Sequence, residues 1–391
     1  MLAIAMLLAM TTWFSASAVL PQLRREWDLS SNMGSLLTIS VQLGFVAGAL
    51  VSATLNLADV VTPRRLMLLG ALGAASANGL LVVSDGPLSA LPLRFATGAF
   101  LAGVYPPALK AMATWFRKGR GMALGVMVGA LTVGSALPHL INGLGGVRWR
   151  VVIMVTSVLT AVGGLVAEVL ARDGPFPFPR AVFDPSQAKR VFAHRGVRLA
   201  STGYFGHMWE LYAMWAWFAV FFADVLARHG AADTRRGAAY ATFAVIGVGA
   251  LGCWIGGLLG DRWGRTRATA LAMGISGACA ITIGLVRDAP TPVVLALGLL
   301  WGFWVVADSA QFSTIVIEVA DQSYVGTAVT MQLAVGFTLT VLTIWLIPVF
   351  HDHLTWRWAF AFLAPGPLLG VVAMLRLMRS PEAARIAGGR G

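Results

Sequence analysis

The sequence predicts an all-α integral membrane protein of twelve transmembrane helices, arranged as two pseudo-symmetric six-helix bundles. Three observations predict it. Of the 391 residues, 58% are hydrophobic and only 12% charged, with a mean hydropathy of +0.76; a soluble domain carries about 25% charged residues. Apolar runs of about 20 residues, the length that spans a bilayer, recur along the whole chain. The longest polar stretch, 172–198, divides those runs six and six.

In chain order the runs fall near 2–22, 33–57, 65–84, 89–113, 121–144, 150–171, 199–223, 237–260, 267–286, 291–317, 325–350 and 357–377. The first lacks the basic leading region of a secretory signal and is followed by eleven more, so it reads as a spanning helix. The fourth and tenth are the least uniform: Arg94 and Lys110 interrupt one, Asp308 and Glu318 the other. The stretch 172–198 is rich in Pro and basic residues and reads as a linker. The expected organisation is an N-terminal bundle at 1–171, a cytoplasmic linker at 172–198 and a C-terminal bundle at 199–391.

Net charge is +12, which in a soluble protein would suggest nucleic acid. Here the basic residues lie in short gaps between apolar runs rather than on one soluble face. Most of the 29 Lys and Arg fall on one side if both termini are cytoplasmic, as short basic loops require. The expected location is a cell membrane, crossed many times, with the lipid bilayer as partner and a monomer as a sufficient unit. Cys253 and Cys279 both lie within apolar runs and make neither a disulfide framework nor a zinc spacing.

The two halves echo each other. Asp59-Val-Val-Thr-Pro-Arg64-Arg65 follows the second run, and Asp261-Arg262-Trp-Gly264-Arg265-Thr-Arg267 follows the eighth. Arg148-Trp149-Arg150 opens the sixth run and Trp356-Arg357-Trp358 the twelfth. Repeated six-helix halves place a solute site at their interface near the bilayer midplane.

On these residues the chain resembles the major facilitator superfamily over essentially its whole length. The loop from Gly257 through Asp261, Arg262, Gly264 and Arg265 fits that family's loop motif. The first-half copy keeps Asp59 and Arg64 but has Leu55 and Thr62 where the motif has glycine. Arg94 through Gly98, Gly103, Tyr105, Pro106 and Pro107 is similar to the family's fourth helix. Gly125, Gly129, Gly134 and Pro138 lie on the fifth helix without the Gly-Pro pair of the antiporter branch. The resemblance implies secondary transport of a small solute by alternating access, with the Asp261 loop as a conformational gate.

Ionisable side chains inside a bilayer are costly and are functional candidates by default. Glu210 lies about 11 residues into the seventh run, roughly 16 Å deep and near mid-bilayer. Tyr204 and His207 precede it at helical spacing and share its face. Glu210, Asp308 and His207 are therefore the proton-coupling candidates; the competing reading for each is a structural hydrogen bond. Tyr105, Lys110, Arg94, Tyr204, Gln311, Gln42, His139 and Gln332 are the candidates for the solute cavity. Arg94 would draw anions inward or snorkel to the headgroups, and Glu318, near the inner end, is expected to be solvated. A basic inner face with Arg94, Lys110 and His139 favours a small organic or inorganic anion. Proton-driven export of an amphipathic compound is the alternative, and a non-transporting membrane sensor a further one.

No phosphate loop, zinc-protease helix or nucleophile elbow is present in the sequence, so neither ATP drive nor an enzyme is expected. No metal or cofactor is expected either.

Overall fold

The computed structural model describes residues 1–116, 119–144, 148–172, 174–176, 183–321 and 323–391, and within these it leaves the side chains of Ser31, Ala58, Asp59 and Arg120 undescribed. The described residues form helices and turns without a strand. The long helices are α1 (Leu2–Ala9), α2 (Ser31–Thr54), α3 (Pro63–Gly79), α4 (Pro87–Leu101), α5 (Tyr105–Ala113), α6 (Arg120–Gly143) and α7 (Trp149–Leu170). After the basic linker come α8 (Arg195–Arg228), α9 (Thr234–Gly247), α10 (Gly249–Trp263), α11 (Arg265–Thr282), α12 (Thr291–Ala307), α13 (Ser309–Val319), α14 (Val325–Ala359) and α15 (Pro365–Met378).

These helices follow the twelve apolar runs. Among the described residues, nine helical stretches are long and apolar enough to cross a membrane, the last of them, Val325–Met378, covering two runs. It bends at Thr355, whose φ of 58° no helix can carry. Other runs are broken internally. The first is α1, a 3₁₀ turn at Met10–Thr12 and two shorter helices, Ser15–Ala18 and Leu20–Glu26. The fourth is α4 plus α5, parted before Pro106 and Pro107, since proline cannot supply an interior helical N–H. The tenth is α12 plus α13, parted at Asp308.

Helix contacts repeat between the two parts of the chain. A Cβ built on Gly44 would fall on the carbonyl oxygen of Phe95, and one on Gly48 on that of Ala99. In the second part, Gly252 meets Phe303 and Gly256 meets Ala307 in the same way. Four pairs thus share one spacing and one geometry: α2 against α4, and α10 against α12. Only glycine lets backbones approach this closely. Contacts between the parts run along two seams, α2 against α14 and α6 against α9 and α10.

Candidate transport cavity and gate

Between α5 and α6 on one side and α8, α13 and α14 on the other, a cavity of about 30 Å³ is lined by Tyr105, Tyr204, Tyr212, Trp215, Ser309, Ser313 and apolar neighbours including Phe337. It has room for little more than water. Aromatic rings close over it: Trp13 lies 4.9 Å from Phe45, 5.9 Å from Tyr212 and 5.7 Å from Phe337 between centroids. Phe45 lies 4.5 Å from Phe337 across the α2–α14 seam. The lining carries hydroxyls and rings and no charged side chain.

One wall leads to a buried polar chain. The break between α12 and α13 leaves Asp308 at a helix joint and Ser309 at the cavity surface. The Ser309 hydroxyl lies 2.6 Å from His207 Nε2. His207 Nδ1 lies 2.8 Å from Asp308 Oδ1, an ion-pair distance, but out of line for a hydrogen bond, so that oxygen keeps an open acceptor position. Tyr204, one turn earlier on α8, lines the cavity and packs on His207 at 6.1 Å.

Glu210 shares the α8 face of His207 but does not line the cavity. It is buried between α8, α11 and α12, accepting from Ser276 Oγ at 2.9 Å and from Trp301 Nε1 at 2.6 Å. Both carboxylate oxygens are engaged within the second part of the chain. Ser276 and Trp301 were not singled out from sequence; a lone Ser or Trp inside an apolar run carries no periodic signal.

Arg94 is neither a snorkelling nor a cavity residue. It is fully buried, and its guanidinium donates to Leu37 O, Thr12 O, Ser15 Oγ, Asn78 Oδ1 and Trp13 O at 2.6–3.3 Å. The carbonyls of Thr12 and Trp13 are available because the first run breaks there, and Arg94 holds that break against α2 and α3. A planar fork of five donors suits this role. The sequence signal that could have found this role is Asn78, an amide inside the third apolar run.

The Asp261 loop, the candidate gate, makes contacts to both parts of the chain. Gly264, with φ 110°, turns the chain from α10 into α11. Asp261 Oδ2 accepts from the Met122 N–H at the start of α6 at 3.1 Å, tying the two parts together at a helix N-terminus, where a carboxylate is favoured. Arg265 Nη1 lies 3.0 Å from Asp261 Oδ1 and donates to Gln311 Oε1 at 2.8 Å. Its Nε and Nη2 donate to Glu318 at 3.1–3.2 Å. Two expectations change here. Gln311 belongs to this buried ion cluster rather than to the cavity, and Glu318 is an ion-pair partner rather than a solvated end residue. Arg262 is exposed, and Arg64 donates from Nη1 to Ala171 O at 3.2 Å. The side chain of Asp59 lies outside the described residues.

A segment not singled out from sequence braces the cluster. Within Pro381–Gly388 and the residues after it, Ala387 N–H donates to Glu318 Oε2 at 3.0 Å, Arg385 Nη1 to Val319 O at 3.2 Å and Arg390 Nη1 to Asp261 O at 2.7 Å. Ile386 is fully buried among them.

The remaining candidates stand outside the cavity lining. Lys110 is part-buried on α5 away from the cavity lining. His139 is buried on α6, away from that lining, with its Nε2 unpartnered among the described residues. Gln42 on α2 and Gln332 on α14 are fully buried, with both amide atoms unpartnered among the described residues.

A polytopic helical membrane protein with a central cavity between repeated helix sets is the class this architecture defines. The profile of the Major Facilitator Superfamily matches residues 2–339. The chain belongs to the Major Facilitator Superfamily. It is 30% identical over 173 residues to the uncharacterized transporter YgaY of Escherichia coli O157:H7, and equally to the YgaY protein of E. coli strain K12. Those matches cover 42% of this chain, and the chain spans about two-fifths of the length of these relatives. Among solved structures, it is similar to a bacterial homologue of the human lysosomal transporter Spinster in its inward-facing, occupied conformation. That match has a TM-score of 0.66 at 15% identity, covering 100% of this chain and 97% of the other. The unoccupied inward-facing form gives 0.65 at 15% identity, covering 100% and 96%. At this identity the likeness is one of fold.

Proposed function

We propose that this protein is a proton-coupled secondary transporter that moves a small, uncharged, amphipathic solute by alternating access. The moving units are the six-helix bundles 1–171 and 199–391, joined by the linker 172–198. Both termini are cytoplasmic, and one chain suffices. The observation that carries this reading is the cavity between α5 and α6 on one side and α8, α13 and α14 on the other, with the Ser309–His207–Asp308 chain opening onto it. A proton reaching Ser309 can pass to His207 and be balanced by Asp308, so occupancy of the cavity and charge in the wall are linked.

The anionic solute favoured from composition loses its named carriers. Arg94 is fully committed to neutral acceptors, and Lys110 and His139 lie away from the lining. Hydroxyls and rings suit an amphipathic compound better. Glu210, bonded twice inside one bundle, takes a structural role in this scheme.

The test is proton flux in liposomes holding the purified protein, with an internal pH dye and a panel of amphipathic and anionic solutes. Wild type, Asp308→Asn and Glu210→Gln are run side by side. Solute-dependent flux that survives in Glu210→Gln and is lost in Asp308→Asn supports the scheme. Loss in Glu210→Gln alone moves the coupling site to Glu210, and absence of flux for every solute overturns the transport reading.

A further inference from the structure

Folding leaves few buried hydrogen-bonding groups unpartnered, because each gives up its hydration with nothing in return. Four side chains at or beside the cavity carry several of them. Trp13 Nε1, Trp215 Nε1 and both amide atoms of Gln42 and Gln332 have no partner among the described residues, and all four side chains are at most 1% exposed. They are also grouped in space. Trp13 and Trp215 flank Tyr212, at 5.9 and 5.6 Å. Gln42 stands one helical turn before Phe45, which touches both Trp13 and Phe337. Gln332 stands one turn before Gly336, whose backbone abuts the Tyr204 ring.

The chemistry of this set is lopsided. An indole only donates, and each amide offers two N–H groups against one oxygen. The four side chains bring six N–H groups against two oxygens, and the open Asp308 Oδ1 behind Ser309 adds a third acceptor atom, so donor groups remain in excess; the surfaces between them are aromatic faces. Of the four, Trp215 lines the cavity, and no charged side chain does.

We infer that these four residues select a neutral, flat solute rich in hydrogen-bond acceptors, such as ring carbonyls, and poor in donors. The inference rests on the transport reading above and names the solute class for it. In the closed state the cavity of about 30 Å³ cannot hold such a molecule. When the bundles part along the α2–α14 seam, the rings separate and the orphaned N–H groups face the gap. A carbonyl-bearing ring stacks between Trp13 and Phe337 and accepts from the indole and amide N–H groups. Their cost to the empty protein is what gives selectivity: a solute without acceptors leaves them unmet.

The test is calorimetric binding to the full chain in lipid nanodiscs, with caffeine and coumarin as flat acceptor-only probes and indole as a flat donor probe. Caffeine or coumarin binds more tightly than indole. Gln42→Leu and Gln332→Leu, which keep volume and remove the amide, weaken that binding roughly tenfold each and leave indole unchanged. Trp13→Phe, which keeps a ring against Phe45 and Phe337, does the same. The ligand-free Leu variants melt no lower than wild type, because removing an unmet polar group relieves a cost.

If neither caffeine nor coumarin binds better than indole, or if the Leu variants bind like wild type, the inference is overturned. If the ligand-free Leu variants melt lower, the amides were already satisfied by water or neighbours, and it is overturned as well. Solute-driven proton flux that persists through any of these failures leaves the transport reading standing.

Discussion

Substituting Arg94 by methionine separates a cation that binds solute from one that holds the fold. Methionine fills similar length and removes all five hydrogen bonds of the guanidinium. The losses are unequal. Ser15 Oγ has one proton and can go on serving either Thr12 O at 3.0 Å or Asn78 Oδ1 at 2.7 Å, so one of the two is left weakened. Leu37 O lies inside α2, where the helix ladder serves it. Trp13 O, at the break of the first run, loses its charged donor at 2.6 Å.

A hydrogen bond to a charged group contributes about 1.5–3 kcal/mol. One orphaned carbonyl plus several weakened contacts therefore costs more than one such bond. Relief of burying a cation without a counter-charge returns part of it. The expected net loss is about 2–4 kcal/mol, read from reversible unfolding in mixed micelles by tryptophan fluorescence. Arg94→Lys recovers at most about half, because one ammonium cannot reach Leu37, Asn78 and Trp13 together. A variant Arg94→Met within about 0.5 kcal/mol of wild type, with binding of an anionic solute abolished, would refute this reasoning and return Arg94 to the solute path.

Three further predictions follow from the geometry. Glu210→Gln can still accept from Trp301 and pair with Ser276, so it remains folded, whereas Glu210→Ala leaves the Trp301 N–H unmet at about 1–3 kcal/mol; comparative melting of the two variants checks this, and equal melting counts against it. Asp261→Ala frees the start of α6, so a cysteine placed near the inner end of the α6–α10 seam reacts faster with a soluble thiol reagent, and Arg390→Ala gives a smaller acceleration through the Asp261 carbonyl; unchanged labelling in Asp261→Ala rejects the gate. Gly256→Ala drives a methyl onto the Ala307 carbonyl and costs about 1–3 kcal/mol, whereas Gly247→Ala, with nothing within 4 Å of its added Cβ, is tolerated; size-exclusion profiles of the two are expected to differ, and matching profiles contradict the close packing.

The sequence by itself determined the class. Twelve apolar runs, a polar divide at 172–198 and the Asp261 loop are local in the chain, and hydrophobic length and loop charge are read residue by residue. It did not give the breaks: 89–113 and 291–317 read as continuous spans, and the structure parts them before Pro106 and at Asp308. Tertiary structure alone decided the roles of the polar residues. Glu210 and His207 share a helix face, yet one is enclosed between α11 and α12 while the other reaches the cavity through Ser309. Asp308 and Gln311 lie three residues apart on one segment, and one joins that polar chain while the other joins the Arg265 cluster. Arg94 looked like a cation available to solute until Thr12, Trp13 and Asn78 were seen to surround it. A helix pattern says which residues share a face; the partner that meets it comes from elsewhere in the chain, 16 positions away for Asn78 and Arg94 and 102 for Ser309 and His207, and no local periodicity carries that distance.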